Sequence, residues 1–206
     1  MTEPLTIAVP KGYLFEETIK LFKQIDIHFE NLDESRKLFT YDTTGQYKLL
    51  KIRPWDVPVY VEQGAADLGI VGKDVLYEQD PNVVTLKDCH FGGCKLVLAG
   101  PKKMDIKDIK HGAKIVTKYP YSTKKYFASL GKKVSIIKLY GAIELAPLTG
   151  LGDYICDLTA TGATLKEHDL HIIDTVVEST AHLIANPVGL KIYYDLIVQL
   201  TKSIGD

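Results

Sequence analysis

Short apolar runs that end at glycine or proline and give way to helical spacing recur along this chain, and that alternation constrains its fold more than any other feature. Residues 5–9, LTIAV, alternate and favour β structure. Pro10-Lys11-Gly12 then turns the chain, and Leu14, Phe15, Ile19, Phe22 and Ile25 follow at the spacing of one helix face. A strand over 47–52 leads to Arg53. Asp56 as cap and Pro58 in the first turn open a helix that should stop near Gly64. Residues 67–72, DLGIVG, read as a strand with a glycine exit into a short helix over 73–79. After Gly92-Gly93 come strands over 95–99, 114–117 and 134–139, with a polar helix over 105–110 and a helix capped by Ser122 and ended at Gly131. Residues 141–145 read as a further short helix. The β-rich run 172–183, interrupted by Glu178 and Ser179, crosses back. Asn186-Pro187 then starts a last helix, with Val188, Ile192, Leu196, Ile197, Leu200 and Ile204 on one core face. One excursion and return of this kind implies two α/β lobes around a cleft. Lobe I takes residues 1–90 plus 181–206, and lobe II takes 91–180.

The stretch 144–165, ELAPLTGLGDYICDLTATGATL, carries the chemistry. Tyr154, Ile155, Cys156 and Leu158 suit a short buried strand, and residues 165–169 suit a short helix. Between them the chain is small and hydroxylated: Thr159, Ala160, Thr161, Gly162, Ala163 and Thr164. A strand feeding such a loop and then a helix start gathers backbone N–H groups and favours an anion such as phosphate. Thr161 and Thr164 add hydroxyl donors, and Gly162 permits a positive φ or a close approach. Asp157, one step before the loop, would repel a phosphate and suits sugar hydroxyls instead. Composition alone equally fits an ordinary turn and cap. No Gly-Lys-Thr/Ser or GxGxxG is present, which excludes a Walker A loop and a Rossmann fingerprint.

Only two of the 25 Lys and Arg residues are arginine, Arg36 and Arg53. Arginine's fork suits phosphate oxygens, and Arg53 follows a strand end, where ligands sit in open α/β sheets. Surface salt bridges are the bland alternative. Lys11 reads as an anion contact or a solvated turn lysine, and Asp74 as a helix cap or a nucleotide contact. Lys118, in the VTKYPY segment at 116–121, is a further candidate. A net charge of −1 argues against nucleic acid. The apolar runs fall short of a membrane span, and the first residues do not resemble a signal peptide. Three cysteines, Cys89, Cys94 and Cys156, suit a reduced, cytoplasmic setting. The Cys89-His90-Cys94 group lacks the second pair of a zinc site. The six histidines are scattered, and His168 and His171, just after the loop, read as structural.

The run Glu144, Ala146, Pro147, Gly150, Leu151, Asp153 and then 157–165 resembles the 5-phosphoribosyl 1-pyrophosphate (PRPP) signature of the ATP phosphoribosyltransferases. The opening Val-Pro-Lys-Gly is similar to that family's too, although Tyr13 stands where the family usually has arginine. The Gly-Ala-Ala-Asp-Leu-Gly-Ile-Val-Gly stretch resembles the type II periplasmic-binding-protein fold that the family shares. The resemblance covers essentially the whole chain and implies the short, catalytic form. That form is a homodimer alone and joins a histidyl-tRNA-synthetase-like regulatory subunit in a hetero-octamer. It implies condensation of ATP with PRPP, the first step of histidine biosynthesis, with Mg2+ carried by the substrate and no direct protein ligands to the metal. The loop 159–164 would hold the 5-phosphate, Glu144 and Asp157 the ribose hydroxyls, and Arg36 and Arg53 the pyrophosphate. Lys11, Asp74 and Lys118 would be candidates for ATP. A ligand-binding module is one rival. A type I phosphoribosyltransferase is another, but it usually has two adjacent acidic residues before its loop, whereas Leu158 follows Asp157 here.

Overall fold

The computed structural model describes residues 3–30 and 37–204. In chain order the first elements are β1 (Leu5–Pro10), α1 (Tyr13–Gln24), β2 (Phe39–Tyr41), β3 (Tyr47–Ile52), α2 (Val57–Glu62), β4 (Leu68–Gly72), α3 (Lys73–Gln79) and β5 (Val84–Asp88). The excursion contains β6 (Cys94–Gly100), β7 (Lys114–Thr117), α4 (Pro120–Ser129), β8 (Ser135–Lys138), β9 (Tyr154–Thr159), α5 (Ala163–Glu167) and β10 (His171–Ser179). The return is β11 (Ala181–Ala185), α6 (Pro187–Ile192) and α7 (Tyr194–Ser203). Two compact units result. One holds residues through Leu76, Asp80–Gly92 and Thr180 onward; the other holds Tyr77–Gln79 and Gly93–Ser179.

The first unit is a six-stranded sheet, β2-β3-β1-β4-β11-β5, in which β3, β1 and β4 are parallel. Strand β4 is buried along its whole length, which is why it reads as an unbroken apolar run. One face packs Ile19 and Phe22 of α1 and Ile197 and Leu200 of α7 against Leu5, Ile7 and Leu68. The other face packs Val57 and Val61 of α2 against Ala8, Val71 and Ile184. Gly69 lets α2 approach, since a Cβ there would lie 2.8 Å from both Val57 and Val61 methyls. The second unit is a five-stranded sheet, β10-β6-β9-β7-β8, with β9, β7 and β8 parallel. Its core includes Val97, Val116, Ile143, Ile155, Leu165 and Leu170.

Several sequence expectations need correcting. Asp56 does stand at the N-cap of α2, but in helical geometry and without a side-chain cap bond. Ser122 is not the cap of α4; it lies buried in the first turn, and the helix starts two residues earlier at Pro120. The cap is supplied from α3, where the Glu78 carboxylate accepts the N–H groups of Tyr121 and Ser122 at 2.9 and 2.8 Å and the Ser122 hydroxyl at 2.7 Å. The polar helix of 105–110 shrinks to one 3-10 turn, Ile106–Asp108. Likewise, the short helix of 141–145 is the 3-10 turn Ile143–Leu145. The last helix breaks at Tyr193, so Val188 and Ile192 are exposed rather than on the core face. Asn186 does cap α6, its side chain accepting the N–H groups of Val188 and Gly189 and donating to the Val61 carbonyl.

Candidate functional site

The end of β9 and the start of α5 form the candidate site. The strand buries Ile155 and Cys156 and ends at Thr159. Leu165 anchors α5 in the core of the same unit. Between these anchors the chain cannot stay extended. Gly162 adopts φ 77°, ψ 6°, the left-handed conformation that glycine tolerates best, and caps a helix that starts at Ala163, two residues earlier than expected. Two threonines brace the loop from within: Thr159 Oγ1 accepts the Gly162 N–H at 2.8 Å, and Thr161 Oγ1 accepts the Ala163 N–H at 3.3 Å. Among the described residues no hydrogen bond uses the N–H groups of Ala160, Thr161 or Thr164. The side chains of Thr161 and Thr164 are exposed.

A cavity of about 310 Å³ adjoins the loop. Glu144, Asp157, Thr159, Ala160, Thr161, Ala163 and Thr164 line it, joined by the apolar Ile155, Leu158 and Leu165. Glu144 reaches it because Ile143, the first residue of the 3-10 turn, and Ala146, just after it, are buried in the core. Burial raises the pKa of Asp157, and the charge of Glu144 raises it further. The N–H of Leu158, donating to Asp157 Oδ1 at 2.9 Å, and the charge of Lys118 oppose that rise. Two carboxylates, one lysine and a loop of uncommitted amides therefore meet in one unit. Such a site suits a ligand with an anionic end and a polyhydroxyl body. His168, by contrast, turns its Nδ1 to the Thr164 carbonyl at 2.9 Å, in keeping with a structural role.

Lys11, Arg53 and Asp74 belong to the first unit, where they share the C-terminal edge of the parallel strands. The N–H of Lys11 donates to the carbonyl of Ile52 at 2.8 Å, so Lys11 and Arg53 leave neighbouring strands side by side. Both side chains are exposed. Asp74, buried in the first turn of α3, stands at the end of β4; the N-cap itself is Gly72. Tyr13, just after the Val-Pro-Lys-Gly turn, is 62% exposed. Arg36 lies outside the described residues.

Other chemistries find little support. Burial pushes the thiols of Cys89 and Cys156 up to about 12, which removes both as thiolate nucleophiles at neutral pH. No group of three or more His, Cys, Asp and Glu side chains placed to hold a metal occurs among the described residues. No helix among them is long and apolar enough to cross a membrane. Sequence reasoning missed the influence of Lys118 on Asp157, because the two are 39 residues apart in the chain and are brought together only when β7, which ends just before Lys118, pairs with β9.

A family model described as ATP phosphoribosyltransferase matches residues 53–206. An ATP phosphoribosyltransferase of Citrifermentans bemidjiense is 42% identical over 208 residues, covering 99% of this chain and 98% of the relative. Among solved structures, the ATP phosphoribosyl transferase (HisG:HisZ) complex from Thermotoga maritima contains a chain that matches with a TM-score of 0.83 and 34% identity, over 97% of this chain and 96% of that one. The periplasmic aliphatic sulphonate binding protein SsuA of Escherichia coli matches with a TM-score of 0.62 at 16% identity, over 99% of this chain and 72% of its own. That likeness is of fold alone, and it is the two-unit periplasmic-binding-protein architecture.

Proposed function

This chain belongs to the ATP phosphoribosyltransferase family, and from that premise we propose how its residues divide the work. The reaction is the condensation of ATP with PRPP to N1-(5-phospho-β-D-ribosyl)-ATP and pyrophosphate, the first step of L-histidine biosynthesis. The observation that carries the assignment is the cavity in which Glu144 and Asp157 share a wall with the 159–164 loop. The amides of Ala160, Thr161 and Thr164 and the threonine hydroxyls hold the 5-phosphate. Glu144 and Asp157 accept hydrogen bonds from the ribose hydroxyls, which a carboxylate does well and a phosphate-facing group could not.

As the bond from ribose C1 to the pyrophosphate oxygen breaks, positive charge grows on the ribose and negative charge on the leaving group. The two carboxylates face the former. Arg53 stabilises the latter, and the family resemblance gives Arg36 the same part. Adenine N1 of ATP attacks C1, with Lys11, Asp74 and Lys118 as the groups that orient the nucleotide. Catalysis is positional and electrostatic, without a covalent intermediate on the protein. Mg2+ would be carried to this site on the phosphate oxygens of the substrate, with no side chain of the protein as its direct ligand. Bound there with the substrate, Mg2+ would neutralise the pyrophosphate charge.

We also infer a cytoplasmic enzyme that is a homodimer alone and joins a histidyl-tRNA-synthetase-like regulatory subunit in a hetero-octamer. The structural match to a chain from a HisG:HisZ complex supports a regulatory partner. The test of the site is an assay with Mg2+, PRPP and ATP, pyrophosphate being removed enzymatically while the ultraviolet change of N1-substituted adenine is followed. The expected result is turnover that falls in Arg53→Ala by more than PRPP binding weakens. Unchanged turnover in that variant would overturn the assignment.

A further inference from the structure

Strands β7 and β9 run parallel with Thr117 in register with Cys156; beyond that last pair Lys118 opens the turn into α4, while Asp157 continues β9. Successive side chains of a strand alternate between faces, so Thr117 and Cys156 share one face and Asp157 takes the other. Thr117 is fully buried, and its hydroxyl works in both directions. It donates to the Cys156 carbonyl at 2.6 Å and accepts the Tyr119 N–H at 2.8 Å. Thr123, equally buried on α4, donates to the Tyr119 carbonyl at 2.6 Å and lies 3.4 Å from the Thr117 hydroxyl. Lys118 is therefore flanked by two residues held by buried hydroxyls, and one of those bonds runs to the strand that carries Asp157.

The charges around Asp157 give this arrangement a purpose. Glu144 on the 3-10 turn disfavours its ionisation, and Lys118 on the β7–α4 turn favours it. On the other neighbouring strand, β6, Asp157 stands opposite Val97, and Lys95 is engaged with Glu178 at 2.7 Å. Lys118 thus supplies the cation that opposes Glu144 at this carboxylate.

We propose that Thr117 is a positioning residue of the pocket, whose two hydrogen bonds fix the β7–α4 turn to β9 and so hold Lys118 near Asp157. The inference rests on the reading of Asp157 as a PRPP contact. It is tested with Thr117→Val, which fills nearly the same volume without a hydroxyl, Thr117→Ser, which keeps the hydroxyl, and Lys118→Met. Two readouts are taken: the carbon-13 titration of the Asp157 carboxyl without substrate, and the pH profile of kcat/KM for PRPP. Thr117→Val should move the Asp157 titration and the acid limb of the profile upward together. It should also lower kcat/KM at neutral pH by about tenfold, within the range for a small misplacement near the reacting groups. Thr117→Ser should restore both, Lys118→Met should reproduce the shift, and adding Thr117→Val to Lys118→Met should move the titration no further. A Thr117→Val chain that melts earlier but titrates as wild type would overturn the proposal, as would a further shift in the Lys118→Met background. Should the valine variant fail to fold, Thr117→Cys, a weak donor of similar size, is judged by the same criteria. The titration needs no substrate, so a wild-type chain without transferase activity would refute the functional reading while the role of Thr117 is still decided.

Discussion

Two strand-to-helix junctions in this chain differ by three residues, and that difference separates a closed joint from a loop with uncommitted amides. Strand β4 passes straight into α3: Gly72 ends the strand and caps the helix, and the first helical N–H, from Lys73, donates to the Thr180 carbonyl at 2.9 Å. Strand β9 instead reaches α5 through Ala160, Thr161 and Gly162, which leaves amides uncommitted beside two carboxylates. The order of strand and helix is the same, and both junctions lie at the C-terminal edge of parallel strands. The uncommitted donors come from the added small residues, and these are the amides proposed above to hold the 5-phosphate.

The contrast can be broken or sharpened by mutation. The largest effect is expected at the edge of the first unit, which offers cations in place of amides. Arg53→Ala should lower kcat by about 10²–10³-fold, the usual cost of a lost transition-state donor, with a smaller change in PRPP affinity. Next come two glycines of opposite meaning. A Cβ at Gly162 meets nothing within 4 Å, so Gly162→Val suffers only from its positive φ, at about 1–3 kcal/mol. That cost should appear as weakened PRPP binding in titration calorimetry. Gly69→Ala collides with Val57 and Val61 and should lose about 1–3 kcal/mol of stability in urea unfolding, with PRPP affinity unchanged. Asn186→Ala, which removes a cap bonded to Val188, Gly189 and Val61, should cost about 1–2 kcal/mol in the same unfolding experiment.

The smallest expected effect is a gain. Because the folded pKa of Asp157 is raised, its contribution to stability is complete below the ordinary carboxylate range and lost as pH rises through the folded value. Asp157→Asn should therefore raise Tm at neutral pH, lose that advantage in acid, and still impair turnover. A Tm advantage that grew on acidification would contradict the burial of this carboxylate.

Much of the fold could be read from periodicity, because β4 is a continuous apolar run with a glycine exit into α3 and β7 centres on the buried pair Ile115 and Val116. Strands β2 and β5 were not legible. They lie at the two edges of the first sheet, and Phe39, Tyr41 and Thr85 are exposed, so neither carries a buried apolar run. The helix after Asn186 looked continuous because Val188 and Ile192 keep helical spacing, but the break at Tyr193 turns them to solvent. At the site, the loop announced itself through its small residues. The cap of α4 did not, since the carboxylate that replaces the expected Ser122 cap sits 44 residues away at Glu78. The influence of Lys118 on Asp157 was equally hidden, since it arises only when β7 pairs with β9.

The most direct test of the central claim is an amide chemical-shift titration of the chain with PRPP and Mg2+. The account predicts saturable shifts at Ala160, Thr161 and Thr164, with the amides of Lys73 and Val75 at the closed β4–α3 joint changing far less. Shifts concentrated at that joint, with the 159–164 loop unmoved, would contradict it.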